Sequence, residues 1–261
     1  KNYPEASLIK DAIVWKAKTN VRLKNEEVAL EALQAILQKE KAQDKIDKSI
    51  VEEAHMISAM AWKQLDSVAM VLDHLNKAVK YSKDKSKKAR NLFILGQLYR
   101  QEGDLERSQK SFHALIGMKR IPYRYKIHAE IEKVKNHTKI PFPSSILARL
   151  QELIENRENR IYLDALYYQL GVVYKKSGYR DLAVENFVKS ILTKNAQNFQ
   201  KGISYETLGN LFFKEANYKK AGAYYDSVLQ VSGGIKNTRI RRISNKLENL
   251  EDVLVFEEKI H

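Results

Sequence analysis

The stretch Leu170-Gly171-Val172-Val173-Tyr174-Lys175-Lys176-Ser177-Gly178-Tyr179-Arg180-Asp181-Leu182-Ala183-Val184-Glu185-Asn186-Phe187 decides how the chain folds. It reads as two short amphipathic helices joined by a turn at Ser177-Gly178. Leu170, Gly171 and Tyr174 stand at helical spacing before the turn, and Ala183 and Phe187 one turn apart after it. Small residues at Gly171 and Ala183 let two helix backbones come close, while Tyr174 and Phe187 fill the space on either side.

The same offsets recur. Leu95-Gly96-Gln97-Leu98-Tyr99 is followed by Gly103-Asp104 and then Phe112, and Leu208-Gly209-Asn210-Leu211-Phe212 by Ala216-Asn217, Ala221 and Tyr225. Gly171 and Gly209 are 38 residues apart, near the period of paired-helix repeats. Leu-Gly-x-x-Tyr in one helix, a glycine before the next, then an alanine and an aromatic: this pattern resembles the tetratricopeptide repeat family. The resemblance implies an all-α fold, a right-handed α-solenoid of stacked helix pairs. In such an array the first helices of the pairs line a concave groove that holds peptides or folded partners.

Outward from these copies the pattern thins. Residues 1–235 are expected to form the array, clear at 89–116, 161–194 and 200–230 and degenerate at 1–88 and 117–160. The first pair has Ala17 where the family has glycine and Leu33 where it has an aromatic, and Pro4 leads its first helix in. The second pair keeps only Trp62 and Ala78 at family positions, with Lys83 to Lys88 as the loop after it. Asp104 is expected to cap the second helix of the third pair, and Ser144 to cap a helix over 144–154. Between Gly117 and residue 160 one more pair has lost its signature; Ile140-Pro141-Phe142-Pro143, which forbids helix, makes a hinge the alternative. Ser232-Gly233-Gly234 ends the last pair, and 236–261, apolar at Ile240, Ile243, Leu247, Leu250 and Leu254, reads as one long C-terminal capping helix.

Composition bounds the chemistry. The chain of 261 residues is 44% apolar with only four prolines, enough for a continuous packed core. Nothing approaches the ~18 consecutive apolar residues of a membrane helix. It begins Lys1-Asn2-Tyr3-Pro4, which reads as a piece of something longer. With no cysteine, disulfides, thiol nucleophiles and cysteine-ligated metals are excluded. The formal net charge of +14 favours acidic partners; the basic residues concentrate at Lys83 to Arg90 and Lys236 to Lys246.

No catalytic set emerges, and no cofactor is expected. The six histidines show no zinc-binding helical spacing. Gly233-Gly234-Ile235-Lys236 lacks the first glycine, the hydroxyl residue and the strand of a phosphate loop. Adjacent acids such as Glu52-Glu53 diverge by about 100° on a helix. Function then falls to the inward face of the first helices: Arg90, Phe93, Gln97 and Arg100; Tyr168, Val172 and Lys175; Glu206, Asn210 and Phe213. Aromatic and basic groups together suit an acidic peptide or protein edge. The Lys and Asn pair with which some family members grip a C-terminal carboxylate is missing at Phe93/Gln97, Tyr168/Val172 and Glu206/Asn210.

A narrower resemblance runs from about residue 89 to 230. Ile121-Pro122-Tyr123-Arg124-Tyr125, then a helix around Ala129, then Tyr162-Leu163-Asp164-Ala165-Leu166-Tyr167-Tyr168-Gln169-Leu170-Gly171 is similar to the tetratricopeptide lipoproteins of Bacteroidetes gliding motility and type IX secretion. Lys126 to Ile131 is more basic than that family. The resemblance implies a periplasmic, outer-membrane-anchored scaffold. The expectation is a non-enzymatic protein-binding scaffold, with binding of nucleic acid or another polyanion as the alternative; no known nucleic-acid reader motif supports the latter.

Overall fold

The computed structural model describes residues 7–42, 47–138, 140, 142–235 and 237–260, and side chains from Glu251 onward lie outside the description. Pro4, Pro141, Lys236 and the side chain of Leu254, all named above, fall outside it too. The described residues form thirteen α-helices and one short 3-10 helix, with no strand among them. The chain divides into two compact units, 1–136 and 137–261.

In the first unit, α1 (Ser7–Arg22) pairs with α2 (Glu26–Lys41), α3 (Lys48–Gln64) with α4 (Val68–Tyr81), and α5 (Lys85–Gln101) with α6 (Leu105–Gly117); α7 (Tyr123–Lys135) then packs on α6 and α5. In the second, α8 (Ser144–Glu155) and a 3-10 turn (Arg157–Tyr162) lead into the pairs α9 (Leu163–Lys176) with α10 (Arg180–Leu192) and α11 (Asn198–Lys214) with α12 (Tyr218–Ser232). α13 (Thr238–Ile260) lies on α12. Residues 123–154, expected as one more pair, are thus shared between the units: α7 buries Ala129 beside Phe112, and α8 packs on α9.

The repeat is written in the backbone more fully than in the side chains. At the turn inside each of the five pairs, an amide donates to a carbonyl five residues back: Asn25 to Asn20, Ser67 to Trp62, Asp104 to Tyr99, Tyr179 to Tyr174 and Asn217 to Phe212, all 2.8–3.0 Å. This is the bond that closes a left-handed helix end. The residue just before each donor has positive φ: Lys24, Asp66, Gly103, Gly178 and Ala216. Three of the five are not glycine, so the turn is kept where its usual residue is absent.

Counting eight residues back and eight on from each donor lands on the crossing of the two helices. In the last three pairs it is Gly96 with Phe112, Gly171 with Phe187 and Gly209 with Tyr225. A methyl built on those glycines would meet the ring at 2.6, 2.7 and 2.6 Å. In the first two pairs the same places hold Ala17 with Leu33 and Ala59 with Leu75, all buried. One methyl more on the small side is matched by a smaller partner, as close packing requires. The second pair therefore conforms at Ala59 and Leu75 as well.

Several boundaries differ from expectation. α5 begins at Lys85 rather than Ala89, because the Asp84 carboxylate accepts from the amides of Ser86 and Lys87. The basic run expected as a loop is therefore mostly the first turns of a helix. Asp104 caps α6 as expected, accepting from the Arg107 amide at 2.9 Å. Ser144 does not cap α8: it is the first helical residue, and Pro143 (φ −57°, ψ 141°) holds the cap position without a side-chain hydrogen bond. Gly233 ends α12 in the left-handed region. Of the aromatics expected in the core, Tyr99, Phe112, Phe187 and Tyr225 are buried, but Tyr174 is only half-buried, edge-on to Tyr179.

Candidate protein-binding site

The first helices of the first unit expose a cleft of about 350 Å³ whose walls come from α1, α3 and α5. Its cations are Lys18, Arg22, Lys87 and Arg90, set against the carboxylates of Glu52 and Glu53, and Met56, Ile57 and Met60 supply its apolar wall. Two polar side chains buried in its lining are unsatisfied: Glu52 Oε1 and Asn91 Nδ2 have no hydrogen-bond partner. Glu52 is 3% and Asn91 2% exposed. Leaving such groups unpaired costs about 1–3 kcal/mol each, and a peptide unit carries both the donor and the acceptor they lack. A second cleft of about 440 Å³ lies between α3, α4 and α5. It shares Met56, Met60 and Arg90 with the first and adds Val71, Ile94 and Leu98. Together they form a basic, methionine-rich depression; methionine adapts to varied apolar partners.

The ten residues singled out from sequence meet different fates. Arg90 is exposed and walls both clefts. Phe93 turns to the α6 side, its ring 5.9 Å from that of Phe112, and Gln97 is half-buried one turn on. Arg100 is ion-paired to Glu132 of α7 and donates to the Glu132 carbonyl at 3.2 Å. In the second unit the Tyr168 ring lies 5.5 Å from Phe187 and its hydroxyl 3.3 Å from Thr207, and Val172 is half-buried against the same core. Glu206 accepts from Arg239 at 2.6 Å, and Asn210 accepts from the Tyr225 hydroxyl at 2.9 Å and from Lys246 at 2.7 Å. Arg239 and Lys246 belong to α13, so α13 holds the inward side of α11 at these two positions. Lys175 and Phe213 stay exposed. Burial around the Lys175 ammonium, and then the charge of Lys214, lower its pKa.

Sequence reasoning missed Asn91, Met56 and Met60, and it takes the pair Glu52-Glu53 for solvated surface, whereas Glu52 is buried at 3% exposed. α3 carried too little of the family pattern for its inward face to be assigned. On α5, Asn91 sits beside Arg90 in sequence, but no periodicity reveals that a polar side chain is buried without a partner. Among the described residues no group of three or more His, Cys, Asp or Glu could hold a metal ion, and no helix is long and apolar enough to cross a membrane.

Comparison with known proteins agrees with this architecture. The tetratricopeptide repeat model matches residues 89–121 and 165–196, which coincide with the pairs α5–α6 and α9–α10. No curated protein matches the sequence. Among solved structures, NprR in complex with its cognate peptide NprX is similar over 95% of this chain and 73% of its own, with 13% identity and a TM-score of 0.51. MamA aligns over 83% of this chain and 94% of its own at 16% identity and a TM-score of 0.41. The TPR2AB-domain:pHSP90 complex of yeast Sti1 covers 94% and 100% at 14% identity and a TM-score of 0.36. At such identities the likeness is one of fold, and of these three only the first exceeds a TM-score of 0.5.

Proposed function

We propose that the chain is a non-catalytic scaffold that binds an extended, acidic segment of a partner protein along the first helices of its pairs. The observation that carries this reading is that Glu52 Oε1 and Asn91 Nδ2 both lack a partner in the lining of a cleft that also holds four cations. A peptide backbone supplies the missing donor and acceptor, and acidic side chains answer Lys18, Arg22, Lys87 and Arg90. Arg90 and Gln97 serve this face in the first unit, with Phe93 set against Phe112 on the α6 side; Tyr168, Val172, Lys175 and Phe213 offer a second contact face in the other. Arg100 braces the first of these faces, and Glu206 and Asn210 the second, since each is bound within its own unit. Peptide binding by NprR, a protein of similar fold, is consistent with such a role.

The test is photo-crosslinking from a probe amino acid at Met60, in the native cell and with the full-length protein. A defined partner protein is expected to crosslink and to be lost on Arg90→Glu with Lys87→Glu. Crosslinks to nucleic acid alone, or binding to generic DNA or RNA that collapses steeply with added salt, would replace the scaffold by a polyanion binder. The resemblance of Tyr162 to Gly171 to the gliding-motility lipoproteins extends the proposal to a periplasmic, outer-membrane-anchored component of type IX secretion. Recovery of exclusively cytosolic partners would end that extension while leaving the scaffold intact.

A further inference from the structure

A different cleft, of about 610 Å³, opens between α2 and α4 over a floor of α3. One stripe of α2 lines it from Glu27 to Glu40, a length of ~20 Å at ~1.5 Å per residue. Its charged lining is Glu27, Glu31 and Glu40, together with Asp73 and the single cation Lys77, which pair with each other at 2.8 Å, among the described residues that wall it. In a chain of net charge +14 this is a local inversion of sign. Leu30, Leu37, Trp62 and Met70 supply the apolar part of the wall.

Its histidine lining adds an observation independent of the carboxylates. His55 is 1% exposed, and its Nδ1 lies 2.9 Å from His74 Nδ1. Only one proton fits between two ring nitrogens at that distance. His55 Nε2 has no hydrogen-bond partner and stands 4.0 Å from Glu40 Oε2, beyond hydrogen-bond range. Glu40 is fixed by its other oxygen, which accepts from the Tyr81 hydroxyl at 2.6 Å. When His55 supplies the shared proton, Nε2 is a bare acceptor. A carboxylate and an imidazole acceptor then flank a gap that one N–H-rich cation, about 2.9 Å from each, would bridge.

We propose that this cleft is a second binding site, for a basic segment of a partner protein whose lysine or arginine side chains alternate with apolar ones. The net basic charge of the chain repels such a segment on average, which favours this acid-lined cleft over the surface at large. The apolar wall takes its intervening side chains, and Trp62 offers a face to an approaching cation. The site lies on the second helices of the pairs, off the face assigned above, and its fate is independent of that reading.

The probe is a fluorescein-labelled peptide of about six residues, the number that spans ~20 Å extended, alternating lysine with leucine. Fluorescence anisotropy with the full chain at low salt is expected to give saturable binding. It should weaken at least about tenfold in a Glu27→Gln, Glu31→Gln variant, both positions being exposed, and tighten in Lys77→Gln, a gain that misfolding cannot mimic. No binding, the same affinity in all three proteins, or equal binding of a glutamate–leucine peptide to this cleft would overturn the proposal. So would growth in mass with protein concentration that Glu31→Gln abolishes, since that assigns the cleft to a basic segment of a second copy.

Discussion

Gly96 and Phe112 meet so closely that neither can be altered alone without cost. A methyl at Gly96 would stand 2.6 Å from the ring, and overpacking of this kind costs about 1–3 kcal/mol. The first two pairs reveal the compensating exchange, alanine opposite leucine. Gly96→Ala and Phe112→Leu are each expected to destabilise, and the double variant by at least about 1 kcal/mol less than their sum, read by urea denaturation; strict additivity would refute the size-matching account. Turn residues behave oppositely. Ala216 holds φ +55°, where a Cβ costs roughly 1–2 kcal/mol, partly offset by the greater freedom that glycine loses on folding. Ala216→Gly should therefore stabilise by about 0.5–1 kcal/mol, seen as a raised unfolding midpoint.

At the scale of elements, α13 shows how a helix is held by a few groups. Ile243 and Leu250 are buried in the core that Phe187, Leu208 and Tyr225 form, while Arg239 and Lys246 bind Glu206 and Asn210 of α11. Ile243→Ala is expected to cost about 2–5 kcal/mol and to speed amide exchange in α12 as well as α13. If exchange rises in α13 alone, its contacts with α12 are not cooperative. Helix α7 is held by ion pairs as well. Glu132 binds both Arg100 and Lys135, so Glu132→Leu leaves Arg100 without its carboxylate and should lower the melting temperature more than Lys135→Leu does. Element positions were largely legible from apolar spacing, because each helix needs only one stripe to be buried. Ends were less so: the start of α5 hangs on one Asp84 carboxylate, and Pro143 took the place of a side-chain cap at α8.

For the molecule as a whole, acid is the informative stress. Burial, and next the charge of His74, push the His55 imidazole from its ordinary 6.5 down to about 4. Tyr81, Glu40, Asp73 and Lys77 also stand around the pair. The unfolded chain takes up a proton at this site before the folded one does, so stability rises with pH across this interval. The contribution is complete above about pH 6.5 and is lost as pH falls towards 4, a change on the order of 3 kcal/mol. The denaturation midpoint should therefore drop between pH 7 and 4.5 by more in the native protein than in a His55→Gln, His74→Gln variant. Equal drops would mean the pair is charged or open to solvent in the folded state.

The candidate site was legible in part. Arg90 was picked out because charge and helical face can be read from one chain, and the +14 excess was a sum over residues. The sequence by itself determined that the protein is all-helical, where its three clearest pairs lie and that glycine faces an aromatic within them, because those depend on contacts a fixed number of residues apart. Only the tertiary structure decided that α13 engages Glu206 and Asn210, that Glu52 and Asn91 are buried without partners, and that acids gather in one cleft of a basic chain. Such facts depend on which faces of separate helices meet, and no periodicity within a single helix carries that information.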